Sequence, residues 1–162
     1  MKNKLMAYVI KPALFIAIFL IARALLQGDP IEGKAPTFSQ INIAGSAIPI
    51  DTQKPTLVHF WATWCSICEF ERSNVESLIA DDYQVINVAT QSGTNQALLA
   101  FAEQHGMNAN HIINDEHGTL FQQFGARAVP ASFFISPDGQ IQFVEVGYTT
   151  SLGMRLRLWF SE

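Results

Sequence analysis

The sequence predicts an α/β protein: a central mixed sheet with helices on both faces, preceded by one N-terminal transmembrane helix. Three observations predict it. Strand patterns alternate with helical ones between residues 57 and 124. Near the end of the chain two apolar strands, Ala131–Ser136 and Gln140–Tyr148, are joined by Pro137-Asp138-Gly139, a tight-turn sequence that makes the pair antiparallel. The first 27 residues are apolar and basic, with Lys2, Lys4, Lys11 and Arg23 and no acid. At 162 residues the chain suits one domain. It divides into a membrane anchor over 1–27, a linker over 28–36 and a folded domain over 37–162.

The anchor reading rests on the segment Leu5–Leu26, LMAYVIKPALFIAIFLIARALL. Its uncharged centre, Pro12–Ala22, is 11 residues, short of the roughly 20 that a spanning helix needs. Lys11 and Arg23 lie near its ends and can snorkel toward the headgroups, which lengthens the span to the full 22 residues. The lysines precede the segment and acids begin at Asp29, so the positive-inside rule puts the body outside the cytoplasm. A cleaved signal peptide competes with this reading, because Ala22-Arg23-Ala24 has the small-x-small form of a cleavage site. Arg inside that site and apolar Leu25-Leu26 after it argue against cleavage. A buried soluble helix is the third alternative. Gly28–Pro36, turn-rich and polar, reads as the linker.

The charge is uneven. The head carries +4 and the whole chain −4, which leaves −8 on the remaining residues. An acidic body is not a nucleic-acid binder, which would need a basic face. Twelve Phe and three Trp supply ample core, so disorder is excluded as well.

The elements of the body follow from periodicity and punctuation. Thr37–Ile50 alternates apolar residues around Gly45 and reads as a hairpin or two short strands. Leu57–Ala62 is a short buried strand, and Cys65–Ala80 a helix with Val75, Leu78 and Ile79 on one side. Gln84–Thr90 is a strand rich in β-branched residues. Asn95–His105 is an amphipathic helix stopped by Gly106. His111–Asn114 is a further strand, Thr119–Phe124 a short helix stopped by Gly125, and Ser151–Phe160 a last helix.

The chain has two cysteines, Cys65 and Cys68. A bridge between them closes so short a loop that it removes little unfolded-state entropy, so its value is chemical rather than structural. The pair sits where a buried strand opens into a helix. A helix N-terminus offers free N–H groups and partial positive charge, which stabilise a thiolate. Cys65 is therefore the expected nucleophile. Cys68 lies nearly one turn on, on the same face, with its Cα an expected ~5–6 Å away, so it can resolve a mixed disulfide formed at Cys65. Half of a zinc site is an alternative, but no second Cys pair or His spacing completes one. Two thiolates alone could carry Cu(I), and an inert pair is the remaining option. A thiol peroxidase is disfavoured, because no isolated peroxidatic cysteine exists. Taken alone, Val129-Pro130 marks a turn or strand edge.

The run F-W-A-T-W-C-S-I-C, then V-P before an apolar strand, then P-D-G and a second strand, resembles the thioredoxin superfamily over roughly 36–160. The anchor and the acid at Glu71 are similar to its membrane-anchored TlpA/ResA/DsbE-like branch. The ending, Gly147 to Trp159, looks most like the suppressor-of-copper-sensitivity D proteins. The resemblance implies a thioredoxin-like fold and a protein-disulfide oxidoreductase with Cys65 as nucleophile and Cys68 as resolving thiol. It implies that Pro130 is a cis-proline facing the cysteines and that Val129 offers its backbone to the substrate chain. Trp64 would lie beside the site and Glu71 near the thiols, where a carboxylate could shuttle the proton of Cys68. For Trp64 the alternative is an ordinary core aromatic. For Glu71 it is a solvated charge like Glu69 or Glu76. Thioredoxins carry a buried Asp where this chain has His59, either a core histidine satisfied by backbone or a substitute proton acceptor. No dissociable cofactor and no metal is implied. The implied partners are cysteine-containing proteins, a membrane electron donor or acceptor, and the membrane itself through residues 5–26. The implied location is the bacterial inner membrane, single-pass, with the catalytic domain facing the periplasm. Ser66-Ile67 between the cysteines decides neither the redox potential nor the direction of electron flow.

Overall fold

The structure is a computed structural model that describes Leu14, Ile18, residues 33–38 and residues 41–162. Apart from Leu14 and Ile18, the expected anchor lies outside the described residues, as do the first residues of the expected linker. Among the described residues no helix is long and apolar enough to cross a membrane.

Among the described residues the strands and α-helices follow in order: β1 (Gly33–Lys34), β2 (Thr56–Trp61), α1 (Ser66–Ala80), β3 (Gln84–Thr90), α2 (Asn95–Gln104), β4 (Ile112–Asp115), α3 (Thr119–Gln123), β5 (Ala131–Ile135), β6 (Gln140–Val146) and α4 (Ser151–Phe160), with one turn of 3-10 helix over Ala109–His111. The strands form one mixed sheet in the order β1-β6-β5-β2-β3-β4. β2, β3 and β4 run parallel, while β5 and β6 run antiparallel to their neighbours. Among the described residues the predicted elements match to within two residues at their ends, with two differences. Gly33 and Lys34, expected in the linker, pair with Ile141 and Gln140 as an edge strand. Thr37–Ile50 forms no strand among its described residues, only an isolated bridge between Ile41 and Ala47. The reason is Asn42. It is buried, its Oδ1 accepts from Ser46 N at 3.0 Å, and its carbonyl accepts from Gly45 N at 2.9 Å. A side chain that closes the turn in this way takes the place of a strand ladder.

β2 organises the layers, because all six of its residues are buried. A strand buried on both faces is central by necessity. Val58 and Phe60 face one layer, where Leu120 and Phe124 at α3 cover them together with Ile48 from the N-terminal loop. Leu57 and Trp61 face the other layer, covered by α1, α2 and α4 through residues such as Val75, Leu78, Leu98, Met154 and Leu158. Helices on both faces are therefore observed, with the long ones on one side.

The first layer centres on an aromatic knot. Phe60 meets Phe121, Phe124 and Phe133 edge to face at 5.2–5.7 Å, and Phe124 meets Phe133 at 5.0 Å. Such pairs add to the stabilisation from area burial. Phe124 is fully buried, so Phe124→Ala is expected to destabilise the domain by about 3–5 kcal/mol. A urea unfolding midpoint shifted by less than a third of that would show that the layer collapses around the gap.

Candidate active site

The site stands at the C-terminal end of β2. The chain leaves the sheet at Ala62 and starts α1 at Ser66, with Cys65 as its N-cap in extended conformation. The Cys65 Sγ accepts from Cys68 N at 3.1 Å, as a capping oxygen would. Cys65 and Cys68 are joined as a disulfide, with Cα atoms 5.3 Å apart. Cys65 is half-buried and Cys68 buried. The outer sulfur is thus the one a partner can reach, and it sits on free helix N–H groups that favour a thiolate.

The loop before β5 closes the other side. Val129–Pro130 is a cis peptide, and the Val129 carbonyl lies 3.7 Å from the Cys65 Sγ. The Pro130 carbonyl accepts from Gly147 N at 2.8 Å, which ties this loop to the end of β6. Trp64 is no core aromatic: it is 64% exposed, and its Nε1 donates to the Gln91 carbonyl at 3.1 Å. Gln91 presents that carbonyl from a φ of 47°, uncommon for a residue other than glycine.

Glu71 is not a solvated charge. It is fully buried on the inward face of α1 with Cys68, Val75 and Leu78. Its Oε1 accepts from Thr149 N at 2.8 Å, while Oε2 has no hydrogen-bond partner. Burial pushes its carboxyl up to about 7, against a smaller lowering by the Thr149 N–H. Glu69 is exposed and pairs with Arg72 at 2.8 Å.

Beneath the disulfide is a cavity of about 20 Å³, lined by Cys65, Cys68, His59, Trp61, Asn87 and Met107 among others. Glu71 does not line it. His59 does, from the middle of β2, where Asn87 on β3 and Ser132 on β5 are its register neighbours. Its Nδ1 pairs with Ser132 Oγ at 3.0 Å, a side-chain partner where the core-histidine alternative had a backbone one. Burial lowers its pKa to about 4, so the ring is neutral at pH 7. Two further polar atoms in this lining, Trp61 Nε1 and Asn87 Oδ1, have no hydrogen-bond partner. Sequence reading missed Asn87, because nothing within Gln84–Thr90 distinguishes a polar residue facing a cavity from one at an edge. It also missed the exposed apolar pair Ile67 and Phe70, 49% and 76% exposed. Their i, i+3 spacing, off the Cys68-Glu71-Val75 face, was the available signal. Among the described residues no three His, Cys, Asp or Glu side chains stand together as a metal site.

A thioredoxin-like sheet with a disulfide capping the helix after its central strand defines a thiol–disulfide oxidoreductase. Residues 31–144 match the AhpC/TSA family, and the chain belongs to it. It is 31% identical over 158 residues to the thiol:disulfide interchange protein DsbE of Pseudomonas fluorescens biotype C, covering 91% of this chain and 86% of that one. It is 30% identical over 113 residues to a thioredoxin-like protein of Haemophilus influenzae, covering 70% of this chain and 66% of that protein. The fold is also that of StoA from Bacillus subtilis, with a TM-score of 0.62 at 23% identity, over 78% of this chain and 97% of StoA.

Two buried groups titrate with opposite effect on stability. Glu71 binds a proton more tightly folded than unfolded, so its contribution is fully present below about pH 4.5 and is lost as pH rises through about 7. His59 binds a proton less tightly folded, so its contribution is present above about pH 6.5 and is lost as pH falls toward about 4. The two oppose each other across the overlap of these windows, and each amounts to about 3 kcal/mol at most. Glu71→Gln leaves the His59 slope alone. The stability of this variant, measured by urea unfolding of the oxidised protein, is expected to rise from pH 4.5 to 6.5 more steeply than that of the unsubstituted chain. Parallel curves would remove Glu71 from the account.

Proposed function

We propose that this chain exchanges disulfides with cysteine-containing proteins of the bacterial envelope through Cys65-Ser66-Ile67-Cys68, tethered to the inner membrane by residues 5–26 with its catalytic domain in the periplasm. The observation that carries the exchange chemistry is the capped, half-buried Cys65 sulfur over a buried Cys68. The tether is carried by the basic, apolar head and the acidic body.

In the reducing direction the Cys65 thiolate attacks a substrate disulfide. One new S–S bond forms, and the first substrate thiolate leaves. Cys68 then gives up its proton and attacks Cys65, which restores the Cys65–Cys68 disulfide and releases the second substrate thiolate. The two electrons that reduce the substrate come from the two thiols. A membrane electron donor returns them; in the oxidising direction an acceptor removes them. Glu71, buried a turn beyond Cys68 with its carboxyl at about 7, is assigned the Cys68 proton. Val129 offers its carbonyl to the substrate backbone from beside Cys65, and Pro130 holds that loop against the thiols. Trp64, Ile67 and Phe70 expose apolar surface just before and within the first turns of α1, which suits substrates with apolar residues flanking their cysteine.

Cys68→Ser is expected to accumulate mixed disulfides with partner proteins, seen as bands that collapse on reduction, while Cys65→Ser should give none. Equal trapping by both variants would reverse or abolish the assignment of roles.

A further inference from the structure

The last helix is apolar on two sides. Met154 and Leu158 are fully buried against the sheet. Leu152, Leu156 and Trp159, at i, i+4 and i+7, are 65%, 46% and 60% exposed, and Phe160 beside them is 64% exposed. The Trp159 and Phe160 rings lie 4.8 Å apart. A stripe of this spacing on the outer side of a helix is built to meet an apolar phase.

The position of the stripe in the fold says which phase. The disulfide is at the C-terminal end of β2. β5 runs antiparallel to β2 and pairs Ile135 with Thr56, so the β5–β6 turn is at the opposite end of the sheet. The described chain enters at that same end, where Gly33 pairs with Ile141. Phe160 is there too, sharing a groove with Ser136, Pro137, Asp138 and Gln142. If Leu26 ends a membrane span, residues 27–32 reach at most about 20 Å even when fully extended. The entry point of β1, at the same end of the sheet as Phe160, then lies within about 20 Å of the bilayer surface.

We propose that the outer face of α4, with Leu152, Leu156, Trp159 and Phe160, lies in the headgroup region of the bilayer to which the chain is tethered, with the helix along the membrane surface. This inference rests on the tether reading. The contact is apolar rather than electrostatic. Arg155 is paired with Asp81 and Arg157 with Glu145, while Asp82 and Glu162 line the groove beside Trp159. Zwitterionic lipid suits this face, and added salt does not weaken the contact. Tryptophan is the side chain most at home in that layer, with its ring in the apolar boundary and its N–H toward water.

The full chain is reconstituted in phosphatidylcholine vesicles with brominated acyl chains, and tryptophan emission is compared with that in unbrominated vesicles. The three tryptophans are Trp61, Trp64 and Trp159, and the first two sit at the disulfide end. The expected result is a loss of emission in brominated lipid that persists in high salt and disappears in Trp159→Phe. Leu156→Glu, an exposed position, is expected to remove the same loss while reducing insulin at the unsubstituted rate. Emission insensitive to bromine, from a chain that stays with the vesicles in alkaline carbonate, overturns the docking and leaves the tether standing. A chain extracted by carbonate overturns the tether, and the docking with it. An emission change that follows protein density rather than bromine assigns the stripe to a second copy of the chain and overturns the lipid assignment.

Discussion

The short connection from β2 to α1 is the constraint on which the rest depends. β2 is buried along its whole length, so its end cannot shift without opening both core layers. After four connecting residues α1 begins, and the side chain that caps it is a cysteine. One free N–H of the first turn, that of Cys68, is therefore spent on sulfur rather than on a hydroxyl or carboxylate. The geometry that stabilises a thiolate is also the geometry that starts the helix, so reactivity and local folding share one interaction.

The antiparallel return of β5 completes the site. Because β5 pairs with β2 from Phe60 back to Thr56, its first residues stand beside the last residues of β2. The Val129 carbonyl is carried to 3.7 Å from the Cys65 Sγ although 64 residues separate the two. The inward face of α1 then links the chemistry to α4. Cys68 and Glu71 share that face, and the backbone of Thr149, just before α4, holds the Glu71 carboxylate. Below the thiols the sheet presents a neutral His59 in place of a charge. Glu71 and His59 are thus an acid held at a raised pKa and a base held at a lowered one, both by burial.

The sheet separates two kinds of surface. At one end Trp64, Ile67 and Phe70 are exposed just before and within the first turns of α1; at the other Gly33 pairs with Ile141, and Phe160 shares a groove with Pro137 and Asp138. Six residues of strand at 3.3 Å each put about 20 Å between these ends.

Much of the fold and half of the site were legible in the sequence. Periodicity located the elements to within two residues. The Pro137-Asp138-Gly139 turn determined that β5 and β6 are antiparallel, because turn chemistry is local. The two cysteines at a strand-to-helix junction identified the reactive pair for the same reason. Tertiary packing alone decided three things. Whether Glu71 or Glu69 is buried depends on the side of α1 that meets the sheet and on the Thr149 N–H, which is 78 residues away. Whether His59 is satisfied by backbone or by Ser132 depends on the register between β2 and β5. That Gly33-Lys34 is a strand rather than linker depends on β6 offering an unpaired edge. In each case the deciding partner is distant along the chain, and burial is a property of the packed sheet that no single segment carries.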